Sequence, residues 1–297
     1  MRVVVGMSGG VDSAVSAYLL KKEGYDVVGL FMKNWDSNIN NDKEGITDGV
    51  CPQELDFRDA KAVCDELCIP LYRVDFIKEY WDDVFKYFLS ELEKGRTPNP
   101  DIMCNKYIKF DLFKKEAKKL GADKIATGHY ARIEGNRLLR GVDNNKDQTY
   151  FLSQVSSEQL KDVLFPVGGL TKPEVRKIAE ENNIPVAKKK DSTGICFIGE
   201  RHYQEFIANY LKGKKGDIID VETGKKVGTH KGLMNYTIGQ RRNVGLSGDE
   251  KRHYVCGKDS KNNILYIAYG DDSKYLLSNE AIIAVSYTHL RAHETLS

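Results

Sequence analysis

Short apolar runs alternate with helical stretches through the first 130 residues, and this alternation limits the fold more than any other feature of the chain. RVVVGM is followed by VDSAVSAYLLKKEG, which has helical spacing and a glycine stop at Gly24. DVVGLFM, LYRVDF and KIATGHYA repeat the apolar run. Between them lie the helical patterns QELDFRDAKAVCDELCI, a helix from about Lys78 to Glu93, and NKYIKFDLFKKEAKKLG after the proline turn RTPNPD. A helix that returns the chain before each new strand leaves the strands parallel. The fold class expected is α/β, a doubly wound parallel sheet with helices on both faces. Residues 34–50 are polar, rich in Asn, Asp and Gly, and aperiodic, so they read as a mobile loop.

After Ala131 the pattern changes. RIEGNRLLRGV has the form of a hairpin, and KPEVRKIAEENN is a helix with proline in its first turn. From about Gly213 short strands are punctuated by glycine, which marks a small β-rich domain. A further segment begins near Tyr275, and the closing VSYTHLRAHETLS has no periodicity. With 297 residues the chain exceeds one hydrophobic core. The domains expected are 1–200 (α/β), 201–272 (small and β-rich), 273–285 (the start of a third) and 286–297 (a non-native tail).

Hydrophobic residues at 41% and charged residues at 30% fit a soluble globular protein. No apolar run approaches the roughly 18 residues of a membrane helix. The N-terminus has neither the apolar core of a signal peptide nor the Arg/Ser-rich pattern of a transit peptide. The expected compartment is the cytoplasm, without a membrane partner, where the six cysteines stay reduced. The net charge of +2 is unevenly spread: residues 201–270 hold 13 Lys and Arg against 7 Asp and Glu, and the first 200 hold 30 against 32. A basic second segment suits an anionic partner larger than a nucleotide, although a solvated lysine-rich surface has the same composition.

The stretch GMSGGVDS, Gly6, Met7, Ser8, Gly9, Gly10, Val11, Asp12 and Ser13, sits between the first strand and the first helix. Glycines there let backbone amides approach an anion, the helix presents its positive end, and Ser8 and Ser13 add hydroxyl donors. The Gly-Lys-Ser/Thr ending of a Walker A loop is absent. A Gly-Gly turn by itself also marks a tight connection. The whole string resembles the pyrophosphate loop of the N-type ATP pyrophosphatases, which cleave ATP to AMP and pyrophosphate and adenylate a substrate oxygen. The resemblance implies that Gly6 to Ser13 cradle ATP, with Met32 on the adenine and Gly128 lining the same crevice. Without it, Met32 reads as plain core.

Cys104 follows the proline turn and Cys196 follows a glycine, and both read as lone cysteines in polar loops. Cys64 and Cys68, one helical turn apart, read as core. Cys51 has no assigned role, Cys256 reads as buried in a strand, and no metal site is expected because zinc would need two more clustered ligands. SGGVDS, TPNPDIMCNKYIKF, ATGHYAR, KDQTYFLS, DSTGICFIGER, KGLMNYTIGQRR and HYVCGKD, in this order, resemble the tRNA-specific 2-thiouridylases from Met1 to about Ile283. That family implies an adenine nucleotide alpha hydrolase-like (HUP) domain, a tRNA-facing central domain, and a C-terminal β-barrel of which only the first strand is expected here.

The resemblance further implies ATP, with Mg2+, as substrate, no permanent cofactor, and 2-thiolation of the wobble uridine of tRNA. Cys196 would carry a persulfide, Cys104 would be the second thiol, and the two would form a transient disulfide. Asp101 would be the general acid/base. Asn99, Pro100 and Asp101 would meet the target base, and His129, Lys146, Asp147 and Gln148 the tRNA. By itself His129 reads as a structural histidine, and Lys146–Gln148 as an exposed turn. The partners implied are the anticodon stem-loops of Lys, Glu and Gln acceptors and a persulfide donor such as a cysteine desulfurase or sulfur-relay protein. Another ATP pyrophosphatase, or a non-catalytic nucleotide- or RNA-binding module, are the competing classes. Neither needs two cysteines beside a carboxylate.

Overall fold

A computed structural model of the chain describes residues 1–42, 50–135, 137–191, 194, 203–246 and 252–278. The expected third domain beyond residue 278, the tail 286–297 and Cys196 lie outside the described residues. Two units share the chain: Met1–Phe85 with Pro100–Arg201, and Lys86–Asn99 with His202–Ser286. No helix among the described residues is long and apolar enough to cross a membrane.

The first unit opens with strand β1 (Arg2–Met7), helix α1 (Val11–Lys22), β2 (Asp26–Lys33), α2 (Pro52–Glu66) and β3 (Leu71–Asp75). A helical run follows as α3 (Ile77–Tyr80), a π-helical turn Trp81–Phe85, and α4 (Lys86–Glu93), the last belonging to the second unit. Next come α5 (Pro100–Met103), a π-helical stretch Cys104–Leu112, α6 (Phe113–Lys119) and β4 (Lys124–Ala126). The hairpin of β5 (Ala131–Glu134) and β6 (Arg137–Arg140), α7 (Ser157–Leu160), β7 (Val163–Leu164) and α8 (Lys172–Glu181) complete the unit. The expected fourth strand is shorter than its apolar run, because the chain leaves the sheet after Ala126.

The five parallel strands lie in the order β3-β2-β1-β4-β7. Both faces of β1 are covered, since Val3, Val4 and Val5 are all fully buried. Val3, Val5 and Met7 pack with Ala14, Ala17, Val63 and Val175 in one core. Gly6 faces Phe113 and Met32. This is the doubly wound arrangement expected. The chain runs outward from β1 through β2 and β3, then returns to place β4 on β1's other side. The order therefore reverses between β1 and β4, where crevices at strand C-termini take ligands.

Residues 34–42 differ from the expected mobile loop; 43–49 lie outside the described residues. Trp35 is buried against Phe85 at 4.9 Å and Tyr80 at 6.2 Å between ring centroids. Asp36 accepts from the amides of Asn38 and Ile39, Asn40 accepts from the Asp36 amide, and the Trp35 indole donates to Asp42 at 3.2 Å. Polar side chains that satisfy the local backbone let an aperiodic sequence hold one structure.

The second unit carries α9 (Tyr203–Ala208) and a sheet of β8 (Gly216–Asp220), β9 (Lys226–His230), β10 (His253–Asp259) and β11 (Ile264–Tyr269). The order is β10-β11-β8-β9, with β11 and β8 parallel and the outer pairs antiparallel. Ile218, Leu233, Val255, Leu265 and Ile267 form its core. Gly95, at φ +76°, belongs to this unit: its carbonyl accepts from Lys258 at 2.9 Å, and the Lys94 carbonyl accepts from Ser260 at 3.0 Å.

Candidate active site

The loop after β1 closes on itself. The Ser8 amide donates to Ser13 Oγ at 3.2 Å, the Gly10 amide to Ser8 Oγ at 3.3 Å, and Ser13 Oγ to the Gly10 carbonyl at 3.0 Å. Gly10 is the N-cap of α1 and no side chain caps the helix, so its first-turn amides point to the loop. Gly9 has φ +75°, and a β-carbon there would collide with the Asp56 carbonyl. At Gly128 a β-carbon would sit 2.8 Å from the Asp12 carbonyl carbon and the Ser13 amide. The turn after β4 thus meets the loop backbone to backbone, at the point where strand order reverses. Met7, Val11 and Met32 are buried, so Met7 and Val11 offer this site their backbone rather than their side chains.

Charged side chains missed by the sequence reading surround the loop. Lys172, the first residue of α8 and only 8% exposed, donates to Asp12 at 2.7 and 2.9 Å and pairs with Asp191 at 2.7 Å. Asp191 also pairs with Lys146 at 2.7 Å and Arg176 at 2.6 Å. Burial pushes Asp191 up, but hydrogen bonds from Lys146 and Lys172 outweigh it and hold the carboxyl at about 2. Tyr130 donates to Asp12 at 2.8 Å; burial and the Asp12 charge push its phenol well up, so it stays a donor. Lys189 donates to the Gly9 carbonyl at 3.1 Å and to Asp56 and Asp59 at 2.8 and 2.6 Å. A lysine at the positive end of a helix was the available signal for Lys172, since nothing about helix formation favours it there.

Cys104 begins the π-helical stretch and is 0% exposed. It does not sit in a polar loop, because the helix starts four residues earlier at Pro100. Asp101 lies one turn before it in α5, half-buried; Pro100 is buried, and Asn99 half-buried. The expected Cys104–Cys196 pairing falls outside the described residues. Cys64 is buried, which pushes its thiol up to about 12. Cys68 is exposed, contrary to the reading as core: α2 stops at Glu66, and Cys68 takes φ +48° in the turn that ends it. Cys51 is buried at the start of α2, and Cys256 is half-buried at a bulge in β10.

His129 is 8% exposed, sits 5.7 and 5.8 Å from the Phe110 and Phe165 rings, and shares a 2.7 Å hydrogen bond with Thr127. Burial, then Lys109, pushes it well below the usual histidine range, so it is neutral. It packs between the two rings with little of its surface open. Lys146, Asp147 and Gln148 are half-buried rather than an open turn. Asp147 accepts from the Gly141 amide and Thr149 at 2.9 and 2.8 Å, and Gln148 from the Tyr130 amide at 3.0 Å. Two asparagines went unnoticed in the sequence. Asn34, two residues past Met32, is fully buried with neither carboxamide atom partnered among the described residues. Asn105 follows Cys104 and has one orphaned atom.

Residues 1–200 match the tRNA methyl transferase HUP domain family, and residues 204–269 the tRNA methyl transferase PRC-barrel domain family. Among curated relatives, the tRNA-specific 2-thiouridylase MnmA of Mycoplasmopsis synoviae (strain 53) is 59% identical over 284 residues, covering 94% of this chain and 76% of that protein. The protein of the same name from Staphylococcus carnosus (strain TM300) is 57% identical over 286 residues, covering 95% and 75%. That of Mycoplasma capricolum subsp. capricolum is 56% identical over 292 residues, covering 95% and 78%.

Proposed function

This chain belongs to the tRNA-specific 2-thiouridylase family, and on that premise we propose that it 2-thiolates the wobble uridine of tRNA at the expense of ATP. What supports the reading most is the meeting of the Gly6–Ser13 loop with Gly128 at the reversal of strand order, in a chain 59% identical to a named 2-thiouridylase.

ATP enters as its magnesium salt, and the loop amides and the end of α1 receive its phosphates. The uracil 2-oxygen attacks the α-phosphorus and pyrophosphate leaves, which converts a poor leaving group into AMP. The outer sulfur of a Cys196 persulfide then attacks C2 and expels AMP. Cys104 attacks the inner sulfur, releases 2-thiouridine and closes a Cys104–Cys196 disulfide, which external thiols reduce. Alternatively, Cys104 first liberates the outer sulfur from the persulfide for attack on C2. Asp101 takes up the proton that the base gives up on adenylation and returns it as 2-thiouridine forms. Asn99, Pro100, Lys146, Asp147, Gln148 and His129 serve the target base and the tRNA. A persulfide-carrying protein loads Cys196, and the cytoplasm supplies both tRNA and reducing thiols. Base flipping from an anticodon loop exposes the uracil, and Lys, Glu and Gln acceptors are the expected substrates.

Pyrophosphate release tests the reading. It should require ATP and tRNA together; release from ATP without tRNA, at the same rate, would contradict it and favour a different ATP pyrophosphatase.

A further inference from the structure

Asn105 occupies the helical position directly after Cys104 and is 1% exposed. Its Nδ2 donates to the Phe151 carbonyl at 2.9 Å, which fixes the direction of the carboxamide. Phe151 lies in the short 3-10 helix Thr149–Leu152, which follows Lys146–Gln148. The next residue, Lys106, is tied down as well, since its carbonyl accepts from Gln159 at 2.7 Å. Asn105 Oδ1, by contrast, has no hydrogen-bond partner among the described residues. A buried acceptor without a donor is costly and uncommon. This one belongs to the residue that directly follows Cys104, a thiol that the proposed reaction uses.

Uracil and cytosine carry the same 2-carbonyl, so chemistry at C2 cannot tell them apart. They differ at N3 and C4: uracil presents an N3–H donor, and cytosine an N3 lone pair. N3 is bonded to C2, so a group that holds N3 has to sit close to the groups that serve C2. We propose that Asn105 Oδ1 accepts the N3–H of the target base, making Asn105 the residue that selects uracil over cytosine. Rotating the carboxamide to offer its amino group to cytosine would break the bond to Phe151 and leave that carbonyl unpaired. The acceptor therefore attracts one base and repels the other. This inference rests on the proposed 2-thiolation and adds to it the group that reads the base.

The test uses the full chain with ATP, a persulfide donor and anticodon stem-loops carrying uridine, cytidine or 3-deazauridine at the target position. The last replaces N3–H by C–H and keeps the 2-carbonyl. Wild type should lose about 10- to 100-fold in kcat/KM on 3-deazauridine relative to uridine, and cytidine should not react. Asn105→Leu should lose a similar factor on uridine and almost nothing further on 3-deazauridine, because the contact is already gone. Wild type that handles 3-deazauridine as well as uridine overturns the proposal, and this result does not depend on the variant folding. So does an Asn105→Leu protein that keeps the wild-type ratio between the two bases. A wild type that thiolates no uridine removes the premise, and the proposal with it; the ratio of substrates separates that from a failure at Asn105 alone.

Discussion

Lys172 stands where a helix least favours a cation, at the first position of α8, and is held there by Asp12 and Asp191. Removing it with Lys172→Met would leave two partly buried carboxylates facing each other's field, and should cost about 1–3 kcal/mol in denaturant unfolding. Asp191 gives this network a pH signature. Its folded carboxyl is held at about 2, below the usual value near 3.8, so its contribution is complete above the unfolded value and is lost as pH falls through the folded one. Wild type should exceed Asp191→Asn by about 1–2 kcal/mol at pH 6, and the gap should close between about pH 4 and 2. A gap that widens on acidification would contradict the assignment. The two thiols should separate cleanly. Cys196→Ser should abolish thiolation and persulfide loading while nucleotide and tRNA binding survive; Cys104→Ser should load a persulfide at Cys196 and stall, and Asp101→Ala should slow turnover by about 10²–10⁴-fold. Mass spectrometry that finds the persulfide on Cys104 would reverse the roles. Residues of this kind were legible unevenly. Gly9 and Gly128 stood in recognisable strings, whereas Lys172, Asp191 and Asn105 take their meaning from partners far away in sequence.

The glycine loop makes an element-scale prediction, because not all its left-handed neighbours are crowded. Gly9 and Gly24 both have positive φ, but only Gly9 faces a backbone that a β-carbon would strike; nothing lies within 4 Å at Gly24. Gly24→Ala should cost about 1 kcal/mol of backbone strain alone. Gly9→Ala should cost more and weaken ATP binding at least about tenfold, because the loop must move away from Asp56. Gly128→Ala should do the same through Asp12 and Ser13. Equal ATP affinities for all three proteins would show that the loop does not hold the nucleotide. Strand and helix order were readable because apolar period and glycine stops are local signals. The turn 34–42 was not, because its order comes from Asx hydrogen bonds and from Trp35 packing on Phe85. Cys68 was misplaced for a related reason: helical spacing continued past the residue where α2 stops.

At the scale of the whole molecule, the uneven charge of the chain bears on its largest proposed substrate. Lys212, Lys214 and Lys215 are exposed in the second unit. Replacing Lys214 and Lys215 by glutamate should weaken tRNA binding and reduce the slope of log affinity against log salt by about 1–2. An unchanged slope would place the phosphate contacts elsewhere. Two domain families along one chain, and relatives above 55% identity, agree with the motif order visible in the sequence. The meeting of Gly128 with the loop joins residues more than a hundred positions apart, so the family resemblance put both in one crevice where local periodicity could not. The most direct measurement is mass spectrometry of tRNA nucleosides after reaction with ATP and a persulfide donor. 2-Thiouridine should appear at the wobble position, with one pyrophosphate released for each sulfur inserted and neither product when ATP is withheld. Thiolation that proceeds without ATP, or ATP cleavage that leaves the wobble uridine unmodified, would contradict it.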